Sequence, residues 1–300
     1  MTVDFVPRNR NPAVCMTASL FLLAQSSLAA LPINSNAALN PYEGGVIVRQ
    51  QVIATQSHRD NEEVSRVAAP LAVAYGVTSR FSLLAVLPYN FLRQRNSPQI
   101  GSLTEKKDSH DSAFADAKLA GKYIYFRHDL IGATLRLALP LTVTIPTRET
   151  GFSQNAYSGS LGQVFTYQST NWEFDAAFAF ETFDVSEGIR RGNRVTYDAA
   201  LQFRILPWTL PDEGVPAFLN FVFEINGETQ EETIRDGASL ANTGGRILFF
   251  SPGLQFASER YVIEASYQKP IQQRWNGNSR GRRDQFTIEE RYRFGIRLLL

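Results

Sequence analysis

The chain has almost no cysteine. Its single Cys15 stands within the first thirty of 300 residues. Disulfides, cysteine metal clusters and cysteine nucleophiles are therefore excluded from everything downstream. Net charge is scarce as well: 30 Lys+Arg against 29 Asp+Glu leaves +1, without the basic excess a nucleic-acid-binding chain needs. Only three histidines occur, His58, His110 and His128. Beyond residue 30 there is no run of 18 apolar residues, so no helix is expected to span a membrane.

The first thirty residues have the layout of an export signal. Arg8 and Arg10 form a basic start, 13–24 is an apolar stretch, and Ser27-Leu28-Ala29 fits small-x-small cleavage. Cys15 lies near the start of that stretch rather than at its end, where a lipid anchor would need it. Residues 1–29 are expected to be a signal peptide, cut after Ala29 or Ala30. Residues 30–42 then form an N-terminal periplasmic segment, either a strap or a short plug.

From residue 43 onward the chain is a series of alternating segments. In 194–205, Val195, Tyr197, Ala199, Leu201, Phe203 and Ile205 take one face. Arg194, Thr196, Asp198, Gln202 and Arg204 take the other. Side chains of a strand point to opposite faces in turn, so such a segment separates a greasy side from a charged side. Twelve segments read this way: 44–55, 65–75, 80–91, 113–126, 130–145 and 158–168, then 172–183, 194–205, 217–226, 246–257, 261–271 and 285–300. Most have the nine to eleven residues, or slightly more, of a tilted membrane-crossing strand.

The connections alternate in length. Residues 76–79, 127–129, 169–171 and 258–260 are tight turns, and the proline-rich 206–216 is longer. Between them fall charged segments rich in Gly, Asn and Ser: 56–64, 92–112, 146–157, 184–193, 227–245 and 272–284. Short periplasmic turns and long external loops, with apolar residues toward lipid and polar ones toward the lumen, describe an outer-membrane barrel. The fold expected of 43–300 is a single closed antiparallel all-β transmembrane barrel of about twelve strands in the bacterial outer membrane. A soluble sandwich accounts poorly for inward charges in nearly every strand.

Seven short motifs then resemble, in order, the phenol-degradation (MetA-pathway) family of outer-membrane proteins. The first is the hairpin Tyr75-Gly76-Val77-Thr78-Ser79-Arg80-Phe81-Ser82-Leu83 with Leu87-Pro88-Tyr89. Asp116-Ala117-Lys118-Leu119-Ala120-Gly121-Lys122-Tyr123, Leu137-Ala138-Leu139-Pro140 and Ile145-Pro146-Thr147 follow. The last three are Ile225-Asn226-Gly227-Glu228, Phe249-Phe250-Ser251-Pro252-Gly253-Leu254-Gln255 and Glu264-Ala265-Ser266-Tyr267-Gln268-Lys269-Pro270. The resemblance covers roughly residues 45–300 and implies a transporter of aromatic or otherwise hydrophobic compounds. This chain departs from the family in Ala113-Phe114-Ala115 and in Pro146-Thr147-Arg148-Glu149.

Function is expected in the lumen. Alternation directs Arg49, Asp116, Lys118, Lys122 and Arg136 inward, then Glu173, Asp175 and Glu181, then Arg194, Asp198 and Arg204. Glu224, Glu264, Arg291, Arg293 and Arg297 complete the charged pore-lining set. The seventh strand carries only acids inside, whereas the twelfth and first are rich in arginine. In a ring of twelve these lie opposite, which predicts a transverse field across an open pore; the bland alternative is that the charges pair and fill the barrel. No enzyme is implied: the histidines fall in predicted loops or turns, none on a strand beside a serine, so no nucleophile has a base. No cofactor or metal follows either.

The expected partners are the lipid bilayer, lipopolysaccharide facing Arg280, Arg282 and Arg283, the barrel-assembly machinery, and a small-molecule solute; the oligomeric state is open. The reading is a passive channel for small molecules. Its alternative is a plugged barrel serving as a structural or adhesive surface protein.

Overall fold

The computed structural model describes residues 31–300 apart from 60–61, 97–98, 101–102, 105–106, 149–151, 210, 212–216, 242 and 276–285. The expected signal peptide with Cys15 lies outside these residues, as do Arg280, Arg282, Arg283 and much of the 206–216 connection. The chain forms twelve barrel strands. They are β1 (Val46–Arg59), β2 (Glu62–Gly76), β3 (Phe81–Asn96), β4 (Lys107–Phe114 continued by Ala117–Leu130), β5 (Ala133–Ile145) and β6 (Ser158–Ser169). The second half comprises β7 (Trp172–Phe183), β8 (Arg194–Leu206), β9 (Phe218–Gln230), β10 (Gly245–Ala257), β11 (Tyr261–Trp275) and β12 (Phe286–Leu299). Each pairs antiparallel with its sequence neighbours. β1 and β12 close the ring along a register from Ile47↔Leu299 to Arg59↔Phe286, with one bulge at Gln56/Ser57. Closure leaves no unpaired edge, the condition for spanning lipid with strands.

Burial is inverted relative to a soluble protein, which decides the faces. Phe178, Leu161, Leu141 and Phe294 each keep 57% of their surface exposed, while Glu173, Asp175, Arg297 and Gln255 keep 2% or less. Apolar side chains look outward into what would be lipid, and charged ones are enclosed. The exceptions on the outer wall, Lys269 and Glu290, sit toward the external ends of β11 and β12. There Glu290 accepts from the Tyr292 and Tyr267 hydroxyls at 3.0 and 3.4 Å. An aromatic belt beside charge marks the membrane boundary.

Three expectations are corrected. The β4–β5 turn lies at Ile131-Gly132, with Gly132 at φ 74°, and not at 127–129. Arg127 and Asp129 are still on the strand, where they pair with each other at 2.9 Å. The first external connection is not a loop over 56–64, because the β1–β2 ladder continues to Arg59↔Glu62. All three histidines stand on strands: His58 on β1, His110 on β4 near its external end and His128 on β4 near the periplasmic turn.

Two external loops also carry structure. Val185–Ser186 and Ile189–Arg190 form one small hairpin, Ile234–Arg235 and Ala238–Ser239 another, and the two pair into a four-stranded sheet. Their turns, Glu187-Gly188 and Asp236-Gly237, have positive φ at both residues, as a two-residue hairpin loop with matching twist requires.

Candidate functional site

The segment before β1 does not lie beneath the barrel: residues 31–41 run inside it. Chain polarity and composition explain how. The sequence Leu31-Pro32-Ile33-Asn34-Ser35-Asn36-Ala37-Ala38-Leu39-Asn40-Pro41 offers small side chains, two prolines and no charge. Its backbone amides and carbonyls have no sheet to join, so the charged lumen wall must satisfy them.

It does so from several strands. Glu224 on β9 accepts from the Asn34 and Ser35 backbone amides, each at 2.8 Å, and from the Asn34 side-chain amide. Thr166 on β6 accepts from the Ala38 amide at 2.7 Å. Lys122 on β4 donates to the Ala37 carbonyl at 2.9 Å and to that of Leu39. Arg49 on β1 donates to the Ile33 carbonyl at 2.6 Å, Arg297 on β12 to that of Pro32 at 2.7 Å, and Gln255 on β10 to that of Leu31 at 2.8 Å. Ile33, Ala38 and Leu39 are fully enclosed. Ala38 packs against Ile124, Ala138 and Val164 of the wall. On β10 a glycine makes room: a Cβ on Gly253 would stand 2.6 Å from Ile33 Cδ1 and 2.8 Å from the Ala265 carbonyl oxygen.

Several wall charges pair locally. Arg49 and Arg297 share the enclosed Glu264, with Arg49 Nε donating at 2.9 Å and Arg297 Nη2 at 2.5 Å from Oε2. Arg194 holds Glu181 on the neighbouring β7, Nε donating at 2.9 Å, and reaches Glu228 on β9 at 3.4 Å. Of the charges expected to set up a transverse field, Glu181, Arg49 and Arg297 thus pair with partners on nearby strands. Glu173 and Asp175 are sealed behind the plug level, Asp175 bound to Thr166 and Glu173 to Gln168 at 2.7 Å.

A cavity of about 660 Å³ runs alongside the plug, from Ile47, Ala74 and Ser82 near the periplasmic strand ends to Glu181, Arg194 and Glu228 near the external ones. Of the charged lumen residues expected from alternation, Arg49, Lys118, Lys122, Glu181, Arg194, Asp198, Arg291, Arg293 and Arg297 line it. Asp116, Arg136, Glu173, Asp175, Arg204, Glu224 and Glu264 do not. Asp116 instead staples the strand end, accepting from the Thr147 and Gln154 amides at 3.2 and 2.8 Å. Arg204 covers the Phe218 ring at the periplasmic rim, 4.6 Å from its centroid. Alternation missed an apolar wall: Pro70, Ala72 and Ala74 of β2 and Leu84 and Val86 of β3 also face the cavity. The signal was present, since 67–75 is apolar at every position.

No family model matches the chain, and no curated protein does. Solved structures do. The COG4313 outer membrane channel from Pseudomonas putida F1 superposes with a TM-score of 0.66 at 11% identity, over 89% of this chain and all of that one. The fold is that of an outer-membrane β-barrel. Weaker similarity extends to the NanC porin (TM-score 0.47, 14% identity, 83% of this chain and 98% of that one). It extends also to OprD from Pseudomonas aeruginosa (TM-score 0.36, 8% identity, 90% and 98%).

Proposed function

We propose that this barrel is a passive outer-membrane channel for small organic solutes, aromatic or otherwise hydrophobic compounds among them. The observation that carries the reading is the cavity beside the plug, walled on one side by β2 and β3 apolar side chains and on the other by charges. A purely structural barrel would have no need of a partitioned chamber. The partition also reconciles a charged lumen with the hydrophobic solutes suggested by the resemblance to the phenol-degradation (MetA-pathway) family. Movement is diffusion down a gradient, with the plug as the narrowest level. The outer apolar band requires a lipid bilayer as its solvent, and insertion there calls on the barrel-assembly machinery.

The plug favours one other reading, a closed barrel with a structural or adhesive role at the surface. Swelling of liposomes containing the protein, in solutes of graded size and polarity, separates the two. A channel admits small solutes and excludes larger ones; a sealed barrel gives the rate of protein-free liposomes for all of them.

A further inference from the structure

Of the arginines that line the cavity, Arg49, Arg194 and Arg297 each hold a carboxylate within 4.0 Å, whereas Arg291 and Arg293 make no ion pair among the described residues. They stand two residues apart on β12, so both guanidinium groups enter the cavity from one face. Arg291 is held by neutral groups: Nε donates to Thr55 Oγ1 at 3.2 Å, Nη1 to Gln268 Oε1 at 3.4 Å, and the guanidinium lies 4.7 Å from the centroid of Phe249. Arg293 Nη1 donates to the Ile33 carbonyl at 3.3 Å, while its Nε is buried without a partner. The acids that act on them, Glu228 on Arg291 and Glu224, Glu264 and Asp198 on Arg293, do so without contact. Two adjacent cations between low-dielectric walls create a positive potential that concentrates anions. A guanidinium withdrawn from water with no carboxylate in contact is unfavourable unless something supplies one.

The surroundings specify what that anion looks like. The planar fork of arginine suits a carboxylate. Pro70, Ala72, Leu84 and Val86 face the same cavity, a surface that rewards an apolar body. Asp198 also faces it, hydrogen-bonded only to the neutral Asn226 at 3.2 Å, and opposes a second negative charge. The cavity volume falls within the range of small-molecule sites, roughly 300–1,000 Å³.

We propose that the chamber holds a small monocarboxylate with an apolar tail, its carboxylate on Arg291 and Arg293 and its tail on the β2–β3 wall. The proposal rests on the channel reading for how the solute arrives, but not for the site itself.

Calorimetric titration of the full mature protein in neutral detergent, with detergent-only titrations subtracted, tests it. Hexanoate is expected to bind saturably. Hexanol and hexylamine should bind at least tenfold more weakly because they lack the charge, and acetate and inorganic phosphate likewise because they lack the tail. Arg291→Gln and Arg293→Gln should each weaken hexanoate at least tenfold while the barrel keeps its heat-dependent gel mobility, and Leu84→Asn should weaken it severalfold. Hexanol matching hexanoate overturns the proposal, as does phosphate exceeding it, or unchanged affinity in both arginine variants. If a variant fails to assemble, the ligand series on the unaltered protein decides alone. Planar-bilayer currents recorded in parallel keep the two readings apart. Current without hexanoate binding overturns the site and leaves the channel; hexanoate binding without current upholds the site and overturns the channel.

Discussion

Glu224 is a lumen carboxylate whose hydrogen-bond donors come from the plug: two backbone amides and the Asn34 side chain. Hydrogen bonds to a charged group contribute about 1.5–3 kcal/mol each. Glu224→Ala should therefore release the 31–35 stretch without touching a wall strand's outward face. The expected outcome is a larger and noisier single-channel conductance with gel mobility retained. Glu264 is different, because it balances two enclosed arginines. Glu264→Gln leaves both guanidinium groups short of a counter-charge, which costs on the order of 3–5 kcal/mol. Its melting temperature should fall clearly below that of Glu224→Ala; equal melting would show that the triad contributes little. At this scale the sequence located the charges but not their partners. Arg49 and Arg297 point inward by alternation alone, yet their use of Ile33 and Pro32 carbonyls depends on a segment with no periodicity to read.

Strands were legible wherever one face meets lipid and the other meets charge. β7 runs over Trp172–Phe183, the span that alternation gives. Where strands pass beyond the membrane, as in β3 to Asn96 and β11 to Trp275, the outward face no longer has to be apolar. The pattern stops there although the ladder continues, so those ends read as loops. The external hairpins were missed for a different reason: only two residue pairs flank each turn, too few for a period. Asp236-Gly237 was the available signal.

Face assignment has a direct check on β8. Leu201→Arg puts a charge into lipid near the middle of the strand, at a cost of about 2–4 kcal/mol. Gln202→Arg enters the lumen opposite Glu173, whose Oε1 has no partner among the described residues. Outer-membrane yields should drop for the first and hold for the second; the reverse order would mean the register is shifted by one.

Prolines test the ladder itself. Pairing of β5 with β6 lapses between Ala138↔Val164 and Leu141↔Leu161, where Pro140 has no amide to give. There the outward-facing Gln163 donates to the Val164 carbonyl at 3.2 Å and accepts from the Tyr125 hydroxyl at 3.1 Å. Gln50 makes the equivalent contact with the Gln51 carbonyl at 3.0 Å and also reaches the Pro70 carbonyl at 3.4 Å. A lipid-facing glutamine thus covers a break in the wall. Gln163→Leu should lower the melting temperature by a few degrees although it makes the lipid face more apolar; a rise would indicate that the carbonyl needs no donor.

For the molecule as a whole, the closed ring and the plug lead to one functional expectation: solutes cross a chamber narrowed by residues 31–41. Twelve strands and closure follow from the periodic segments, whereas the plug follows from contacts between residues up to about 265 positions apart, such as Pro32 with Arg297, which no local pattern announces. The most direct measurement compares single-channel conductance in planar bilayers for the intact barrel and for one lacking residues 31–40. The intact barrel should conduct weakly, and removal of the plug should raise conductance severalfold. Equal conductance in the two would contradict the plug as the narrowest level, and absence of current from both would contradict the channel.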